Sequence, residues 1–594
     1  MLHALAPWAF ACLGLVVAVD VLGQASAPVS VPEATQSVRY RVELIAPESV
    51  RDAVATSVNL VRWQGYTEMT EELLDALARE AVPQAEEAAA AQGYFSAVVD
   101  IAIDRSTTPI TIRLSVTPGV PSRVTSVDID VTGPAASEVP LGAKAIAAAR
   151  QGWSMPKGDI FDQTGWAAAK RGVVETIAGN AYASARLVSS EAKVDPELAS
   201  AMLAVSIDSG PAFFIGDIEV QGLSRYSATM VRNFSTVQRG QPYSQSALDD
   251  YVRRLLGSGY FAGVQAAIST DPAKAEAAPV TLAVIEAPSR HLEFGAGYST
   301  DTQYRVTASY RDLDVNGDAL RFYADARLET KVQSANVRFV RPPNAQAWQD
   351  SILGGFERTD IEGLITRTAS IIARRESIDE RNTPAFSVGF FINEQQPTGG
   401  DTVRSHALYG EAQYTWRRTD SLLLPTKGWM ANLTGGGGVP GASTEGFGRV
   451  VGKFAYWLPL GHADELYLRG EGGAVLARSR DGIPSVFLFR TGGDTTVRGY
   501  AFDSLGVQQD GATVGGRYYG VASAEITHWL APSWGIAAFI DAGNAVDSLH
   551  SVTVNYGYGI GARVRTPIGP FRLDLAYGQE VHQFRIHFSV GLSF

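Results

Sequence analysis

Strand alternation at residues 586–594 constrains this fold more than any other feature of the sequence. From Ile586 to Phe594 every second side chain is apolar, and the others are small or polar. Such a strand presents one face to lipid and the other to water, as the strands of membrane β-barrels do. In a soluble protein a bare aromatic strand would pair with other chains. The pattern therefore predicts the closing strand of a bacterial outer-membrane barrel, with Phe594 as part of its assembly signal.

The composition agrees with a barrel and argues against two other classes of protein. The 594 residues are 45% hydrophobic, and the mean hydropathy is -0.01. Past the N-terminus the sequence has no run of about 18 apolar residues, so it predicts no spanning helix. Barrel strands distribute their apolar residues at period two, which keeps the average near zero. The formal net charge of -12 argues against nucleic acid as the main partner.

Residues 1–25 have the layout of a secretory signal peptide. An apolar run from Ala4 to Val19 is followed by small residues that predict cleavage after Ala25. The run lacks a preceding Lys or Arg and is followed by Asp20, both unusual for such a peptide. The single cysteine, Cys12, lies inside this segment. The mature chain is therefore expected to contain neither disulfides nor reactive thiols.

A polar linker at residues 26–37 precedes three segments with one order of signals. Each has a short alternating strand, a helical stretch that ends near a glycine and an aromatic residue, and two further strands. Tyr94, Tyr182 and Tyr260 recur at similar spacing, which is typical of repeated units. For the single tyrosines, core packing beside a helix-ending glycine is the plainer interpretation. The predicted domain boundaries are 38–120, 121–210 and 211–290, all three of the α+β class.

From residue 291 to residue 594 the sequence predicts an all-β transmembrane barrel. Alternating segments recur about sixteen times, at roughly 19 residues for each strand with its connection. Leu292–Tyr298 is the first of these segments, and Phe571–Tyr577 is a late one. Because the first strand directly follows the third α+β domain, the two are expected to be mechanically connected. Charges on the strands are expected to face the lumen.

One long connection, Asp481–Gly516, contains the motif that carries most information about function. It is too rich in glycine and apolar residues for an ordinary external loop. Arg498 followed by Gly499 suggests a guanidinium group presented on a sharp turn. Asp541 follows Phe539 and Ile540 on a later strand and is expected to face the lumen, where it would pair with Arg498. The alternative is a surface loop with a solvated arginine. The candidate motif residues are Gly492, Gly493, Asp494, Val497, Arg498, Gly499 and Tyr500.

These features together resemble the BamA/TamA superfamily of outer-membrane assembly and secretion barrels. The repeats resemble POTRA domains, whose exposed strand edges are thought to hold clients by β-augmentation. Three such domains before a sixteen-stranded barrel are similar to the TamA-like branch, whereas BamA typically has five and two-partner secretion pores have two. The resemblance implies a TamB-like inner-membrane-anchored periplasmic partner, unfolded outer-membrane clients such as autotransporters, and contact with outer-membrane lipid. It also implies an outer-membrane location, with the N-terminal domains in the periplasm.

The function expected from this resemblance is insertion of client barrels through a lateral seam between the first and last strands. Glycine on those strands would thin the seam. The alternative is a polypeptide secretion pore of the two-partner type, which would release its client outside the membrane. A passive porin is disfavoured because it would not need three N-terminal domains. The candidate seam residues are Phe294, Gly295, Gly297, Gly591 and Phe594.

The sequence shows no signal of an enzyme. It lacks the HExxH, GxSxG and Walker motifs, and its eight histidines have no metal-ligand spacing. Gly436, Gly438 and Gly441 match GxGxxG, but the surrounding segments read as barrel strands and not as a βαβ unit. We therefore expect no catalytic residues, no metal and no cofactor.

Overall fold

The computed structural model describes residues 37–299, 302–315, 317–461, 463–566 and 569–590. The predicted signal peptide, residues 26–36 of the linker, Gly591 and Phe594 lie outside these ranges. Contacts divide the chain into two compact units. One unit runs to Thr132 and includes Ile146–Thr176 and Arg186–Asp208. The other comprises Gly133–Ala145, Ile177–Ala185 and the chain from Ser209 onwards.

Three small sheets share one topology. In each, the first strand lies parallel to the third, and the third pairs antiparallel with the second. The repeated order of signals in the sequence therefore corresponds to a repeated sheet. The strands are β1 (Tyr40–Ile45), β2 (Val98–Asp104), β3 (Ile110–Thr117), β4 (Arg123–Thr132), β5 (Arg186–Asp195), β6 (Ser200–Asp208), β7 (Ile215–Gln221), β8 (Phe261–Ile268) and β9 (Ala278–Glu286).

Helices occur between the first and second strands of each sheet. The longest begins after Thr70, whose hydroxyl accepts a hydrogen bond from the backbone N–H of Leu73 at 3.2 Å. Its buried residues recur at helical spacing, so one face of the helix packs in the core. None of the described helices has the length and apolar composition needed to cross a membrane. The helices are α1 (Glu48–Ser57), α2 (Asn59–Arg62), α3 (Glu71–Ala91), α4 (Leu141–Gln151), α5 (Gln163–Ala178), α6 (Ala228–Arg232) and α7 (Gln245–Gly257).

Sixteen antiparallel strands form the large sheet, which confirms the predicted strand number and barrel fold. Its first eleven strands are β10 (Arg290–Ser299), β11 (Gln303–Val315), β12 (Leu320–Glu329), β13 (Val332–Val340), β14 (Trp348–Ile361), β15 (Leu364–Ser377), β16 (Asn382–Pro397), β17 (Val403–Thr419), β18 (Gly428–Gly438), β19 (Phe447–Leu460) and β20 (Asp464–Leu476). A separate hairpin follows, made of β21 (Val507–Gln509) and β22 (Ala512–Val514). The last five strands are β23 (Tyr518–Ala531), β24 (Trp534–Val546), β25 (Asn555–Thr566), β26 (Gly569–Gly578) and β27 (Gln583–Val590).

Side chains alternate between the two faces of the large sheet. Large apolar residues such as Phe294, Ile371 and Ile560 are exposed on the outside, while Glu525 and Asp541 are buried inside. This alternation is the pattern expected of a barrel in lipid. Not every strand charge faces the lumen, however. Some lie on the outer face near strand ends, where the cost of a charge beside lipid is small; they include Asp350, Arg375, Arg367, Glu394 and Arg404.

The sheet order ends at β10 on one side and at β27 on the other. Within the described residues, no hydrogen-bonded ladder joins these two strands. Phe294 on β10 points outward and is 76% exposed. Gly295 and Gly297 pair with Thr307 and Arg305 on β11. The predicted seam therefore lies between two strands that each have a ladder on one side only.

The third α+β domain is tied to the first turns of the barrel by buried contacts. Tyr260 is fully buried and donates its hydroxyl to the carbonyl of Ala319 at 2.6 Å. Arg321 donates to the carbonyl of Ser258 at 2.7 Å, and its guanidinium lies over the ring of Tyr260. Leu313 and Ala319 belong to the same hydrophobic core as this domain. The start of the barrel is thus part of a continuous packed region.

Glu286, at the end of β9, ties that strand to residues 224–226 within the third domain. Its carboxylate accepts backbone hydrogen bonds from Ser224, Arg225 and Tyr226, and one from the side chain of Arg225 at 2.9 Å. Burial alone would raise the pKa of Glu286, but these hydrogen bonds outweigh it and lower the pKa to about 2. Because the pKa of Glu286 is lowered, its contribution to stability is complete above pH 4.5, the ordinary pKa of a glutamate, and is lost as the pH falls toward 2.

We expect Glu286→Gln to lower the free energy of unfolding of the third domain by about 3 kcal/mol at pH 7, because the hydrogen bonds that lower the pKa of this carboxylate to about 2 weaken when its charge is removed. The measurement is the urea midpoint of that domain in the folded full-length protein, followed by limited proteolysis. The difference from wild type should shrink as the pH falls from 4.5 to 2. Glu276→Gln, an exposed residue of the same domain, is the control and should leave the midpoint unchanged. An equal effect of both substitutions would contradict the role of Glu286.

Candidate functional site

The connection between β20 and β23 enters the barrel interior instead of remaining outside. Val497 and Tyr500 are almost completely buried, and Arg498 is 5% exposed. Gly492 and Gly493 have φ angles of 105° and 102°, a region that L side chains rarely adopt. These turns fold the segment into a compact tip, which we define as residues 492–500.

Gly499 is required by the way the tip lies against the barrel wall. Its φ angle is 95°, and a Cβ atom there would lie 2.6 Å from the backbone nitrogen of Gly578 on β26. On the neighbouring strand, a Cβ atom on Gly557 would overlap the carbonyl oxygen of Arg498. Glycine therefore permits backbone-to-backbone contact between the tip and strands β25 and β26.

Arg498 and Asp541 are brought together by this arrangement. Arg498 Nε donates to Asp541 Oδ2 at 2.7 Å, and Nη2 donates to Oδ1 at 2.9 Å. The backbone N–H of Arg498 donates to the same carboxylate at 3.0 Å. The guanidinium also lies 3.4 Å from the ring centroid of Phe539, which shares the inner face of β24. This is the bidentate geometry that fixes an arginine in position.

Two further carboxylates surround the same guanidinium. Arg498 Nη1 donates to Glu525 at 2.8 Å and to Asp574 at 3.0 Å. Arg563 in turn donates to both of these carboxylates, with distances between 2.6 and 2.7 Å. Ser523 donates to Asp541 Oδ1 at 2.6 Å. The charged cluster therefore joins the loop to strands β23, β24, β25 and β26.

The buried charges of this cluster fix the position of the loop more than they stabilise the fold. Its three carboxylates and two guanidinium groups have side chains no more than 6% exposed. Desolvation of buried charges cancels much of their attraction, but removing one partner costs several kcal/mol. The loop therefore has one low-energy position in the lumen, because moving it would leave buried charges of the cluster unpaired.

The tip is also attached to the last strand and to β20. The backbone N–H of Gly499 donates to His587 Nε2 on β27 at 3.0 Å. Tyr500 donates to the carbonyl of Tyr556 on β25 at 3.1 Å. On the other side, Arg469 on β20 donates to the carbonyls of Thr495 and Thr496. All six strands from β20 to β27 that belong to the large sheet thus contact one short segment.

The predicted site residues divide into two groups. Those of the loop motif and Asp541 lie together in the barrel interior, with Asp494 in the turn at the tip. The described seam residues Phe294, Gly295 and Gly297 lie on β10 and pair with β11. Gly591 and Phe594 lie outside the described residues.

Sequence reasoning missed Glu525, Asp574 and His587 as partners of the loop. Each one is flanked by residues whose side chains point outward, such as Ile526, Leu573 and Phe588. The same signal identified Asp541, which stands beside Ile540. Applied to every late strand, it would have found these three residues, although not the atoms to which they bind.

Comparison with known families supports this architecture. The model of the Omp85 superfamily domain matches residues 255–594. The POTRA model, described as a surface antigen variable number repeat, matches residues 213–287. The second match covers β7 to β9, and the first covers the large sheet together with the loop.

Individual relatives show lower identity. Chloroplastic outer envelope protein 80 of Arabidopsis thaliana is 33% identical over 158 residues, which are 25% of this chain and 20% of that protein. Outer membrane protein assembly factor BamA of Nitratidesulfovibrio vulgaris is 24% identical over 426 residues, which are 64% of this chain and 51% of BamA. The chain thus spans about half or less of these curated relatives.

A solved structure shares the fold. The crystal structure of BamA from Haemophilus ducreyi lacking POTRA domains 1–3 matches with a TM-score of 0.55 at 16% identity. The match covers 79% of this chain and 98% of that structure. At this identity the likeness concerns the fold alone.

Proposed function

Because the chain belongs to the Omp85 superfamily, we propose that it is an outer-membrane assembly factor that helps client β-barrels to fold and insert through the seam between β10 and β27. The observation that carries the proposal is the different attachment of the two seam strands. β27 is bound to the lumen loop through His587 and Gly499. β10 directly follows the third domain, which is bound to the β11–β12 connection and the start of β12 through Tyr260 and Arg321.

In the proposed mechanism these two attachments allow β10 to move while β27 stays in place. Movement of the third domain would act on β10, while the charged cluster keeps β24 to β27 in place. An opened seam would present unpaired backbone N–H and C=O groups, which an unfolded client strand can bind by β-augmentation. The proposed step invokes no nucleotide or metal, since hydrogen bonds between the client strand and the open edges of β10 and β27 would drive it.

The finer parts of the proposal concern partners and location. We propose a TamA-like role with autotransporters among the clients and a TamB-like partner in the periplasm. The three repeated sheets support this branch, because a TamA-like protein is expected to have three POTRA domains. The N-terminal domains would lie in the periplasm, at the end of the barrel where β10 begins. A pull-down of the full chain from envelope extracts, followed by proteomics, tests the partner separately from insertion.

The function is tested in vesicles that contain the purified full-length protein. A urea-unfolded autotransporter barrel is added, and its folded fraction is measured by heat-modifiable migration on a gel. We expect faster appearance of membrane-embedded client than in empty vesicles of the same lipid. Client that crosses into the vesicle interior without being embedded would instead support a secretion pore. No acceleration with any barrel client tested would contradict the proposal.

A further inference from the structure

A groove of about 600 Å³ lies on the outer face of the barrel across strands β12 to β16. It is at the end of the barrel where β10 begins, because Arg341 follows β13 and Leu320 starts β12. The groove is separate from the lumen cluster and from the seam strands.

The register of these strands places four apolar residues in one row. Phe339 pairs with Ile352, Ile352 with Ala373, and Ala373 with Val388. Phe339, Ile352 and Val388 are exposed on the outer face. The small side chain of Ala373 lies between two larger ones, so it forms the floor of the groove. The row offers an acyl chain an apolar surface to pack on, with a depression at Ala373.

A row of charged residues lines the same groove, two positions nearer to the ends of the strands. Arg375 pairs with Asp350 and donates two hydrogen bonds to it, at 2.6 and 2.8 Å. Arg341 also lines the groove. Within the described ranges, the Arg341 side chain makes no hydrogen bond or ion pair. Two guanidinium groups therefore face one carboxylate, which leaves an excess of one positive charge.

Aromatic side chains locate this charged row at the edge of the apolar band. Trp348 packs on Phe386, with ring centroids 6.1 Å apart. Both residues are on the outer face, next to the charged pair. Tryptophan is enriched where a membrane protein meets the interface between hydrocarbon and water.

We propose that this groove binds one anionic phospholipid of the leaflet on the side where β10 begins. The phosphate would contact Arg341 and the outer edge of Arg375, and an acyl chain would lie over Ala373. Arginine suits this ligand because its planar donors match phosphate oxygens. Asp350 holds Arg375 in place and limits the site to a single anionic head group. The proposal rests on the location of the barrel in a membrane, but it does not depend on client insertion.

The test uses the delipidated full-length protein in detergent and native mass spectrometry. Dioleoyl phosphatidylglycerol and dioleoyl phosphatidylcholine are titrated in parallel. We expect the first phosphatidylglycerol to bind about five-fold more tightly, the equivalent of roughly 1 kcal/mol for one basic side chain near a head group. Arg341→Gln should abolish this preference. Ala373→Leu should weaken binding of both lipids, because it fills the floor without changing the charge.

Lys427→Gln is the matched control, since it removes one positive charge at the same end of the barrel outside the groove. It should retain the preference for phosphatidylglycerol. Equal binding of the two lipids by wild type, or an unchanged preference in Arg341→Gln, would overturn the proposal and show only ordinary boundary lipid. The client-insertion assay on Arg341→Gln separates the two proposals, because loss of the lipid preference with normal insertion supports the lipid site alone.

Discussion

Arg498→Ala should release the lumen loop and destabilise the folded barrel by about 3 to 5 kcal/mol, the cost of removing one partner from a buried ion pair. The substitution deletes the side-chain donors to Asp541, Glu525 and Asp574 in one step. The measurement is the urea midpoint of the heat-modifiable form, together with protease cleavage between residues 477 and 517. We expect a lower midpoint, faster cleavage of the loop and normal export of the chain.

Asp541→Asn in the Arg498→Ala background gives a sharper test of the same cluster. Asp541 has no other cationic partner in the described cluster, whereas Glu525 and Asp574 keep Arg563. The double variant should therefore lose less unfolding free energy than the two single variants lose in sum. A charge swap, Arg498→Asp with Asp541→Arg, should not rescue, because an aspartate at 498 would face Glu525 and Asp574.

Arg490→Ala is the control for the loop as a whole. Arg490 lies in the same connection and pairs with Asp503 at 3.2 Å, with more exposure than the pair in the lumen. Loss of this ion pair should lower the free energy of unfolding by about 1 kcal/mol or less. If Arg498→Ala assembled, resisted protease and inserted clients like wild type, the proposed role of the loop would be wrong.

Locking the seam should stop client insertion without unfolding the barrel. The predicted mature chain lacks cysteine, so a pair at Gly295 and at Arg585, Ser589 or Gly591 would form a single disulfide. A short panel is needed, because a disulfide requires α-carbons within about 7 Å and, in the part of the chain that the structure describes, no ladder sets the register between β10 and β27. We expect near-complete loss of insertion under oxidising conditions and recovery with a reductant.

A second cysteine pair, at Gly295 and Thr307, serves as the matched control. These residues are partners in the β10–β11 ladder, so their disulfide uses the same cysteine without closing the seam. It should leave insertion unchanged. Full insertion by the seam-locked barrel would rule out the lateral seam, and continued export of a polypeptide through the locked lumen would favour the secretion pore.

Much of the fold could be predicted because the relevant information is local. Alternation at period two identifies a strand and its two faces, and repetition of that signal predicts sixteen strands. The helical stretches of the three repeats are predicted for the same reason, from the spacing of apolar residues within each segment. Arg498 and Asp541 were paired from a turn glycine and from the alternation around Asp541. Each of these inferences uses neighbours within a few positions in the chain.

The sequence by itself thus determined the class of each segment and the face on which most side chains lie. Only the tertiary structure decided that Glu525, Asp574 and His587 converge on the loop, and that Asp350 and Arg375 pair on the outer face. The physical reason is that neighbours across a lumen depend on strand register and on curvature. Both are set jointly by all sixteen strands, so no single segment of the sequence specifies them.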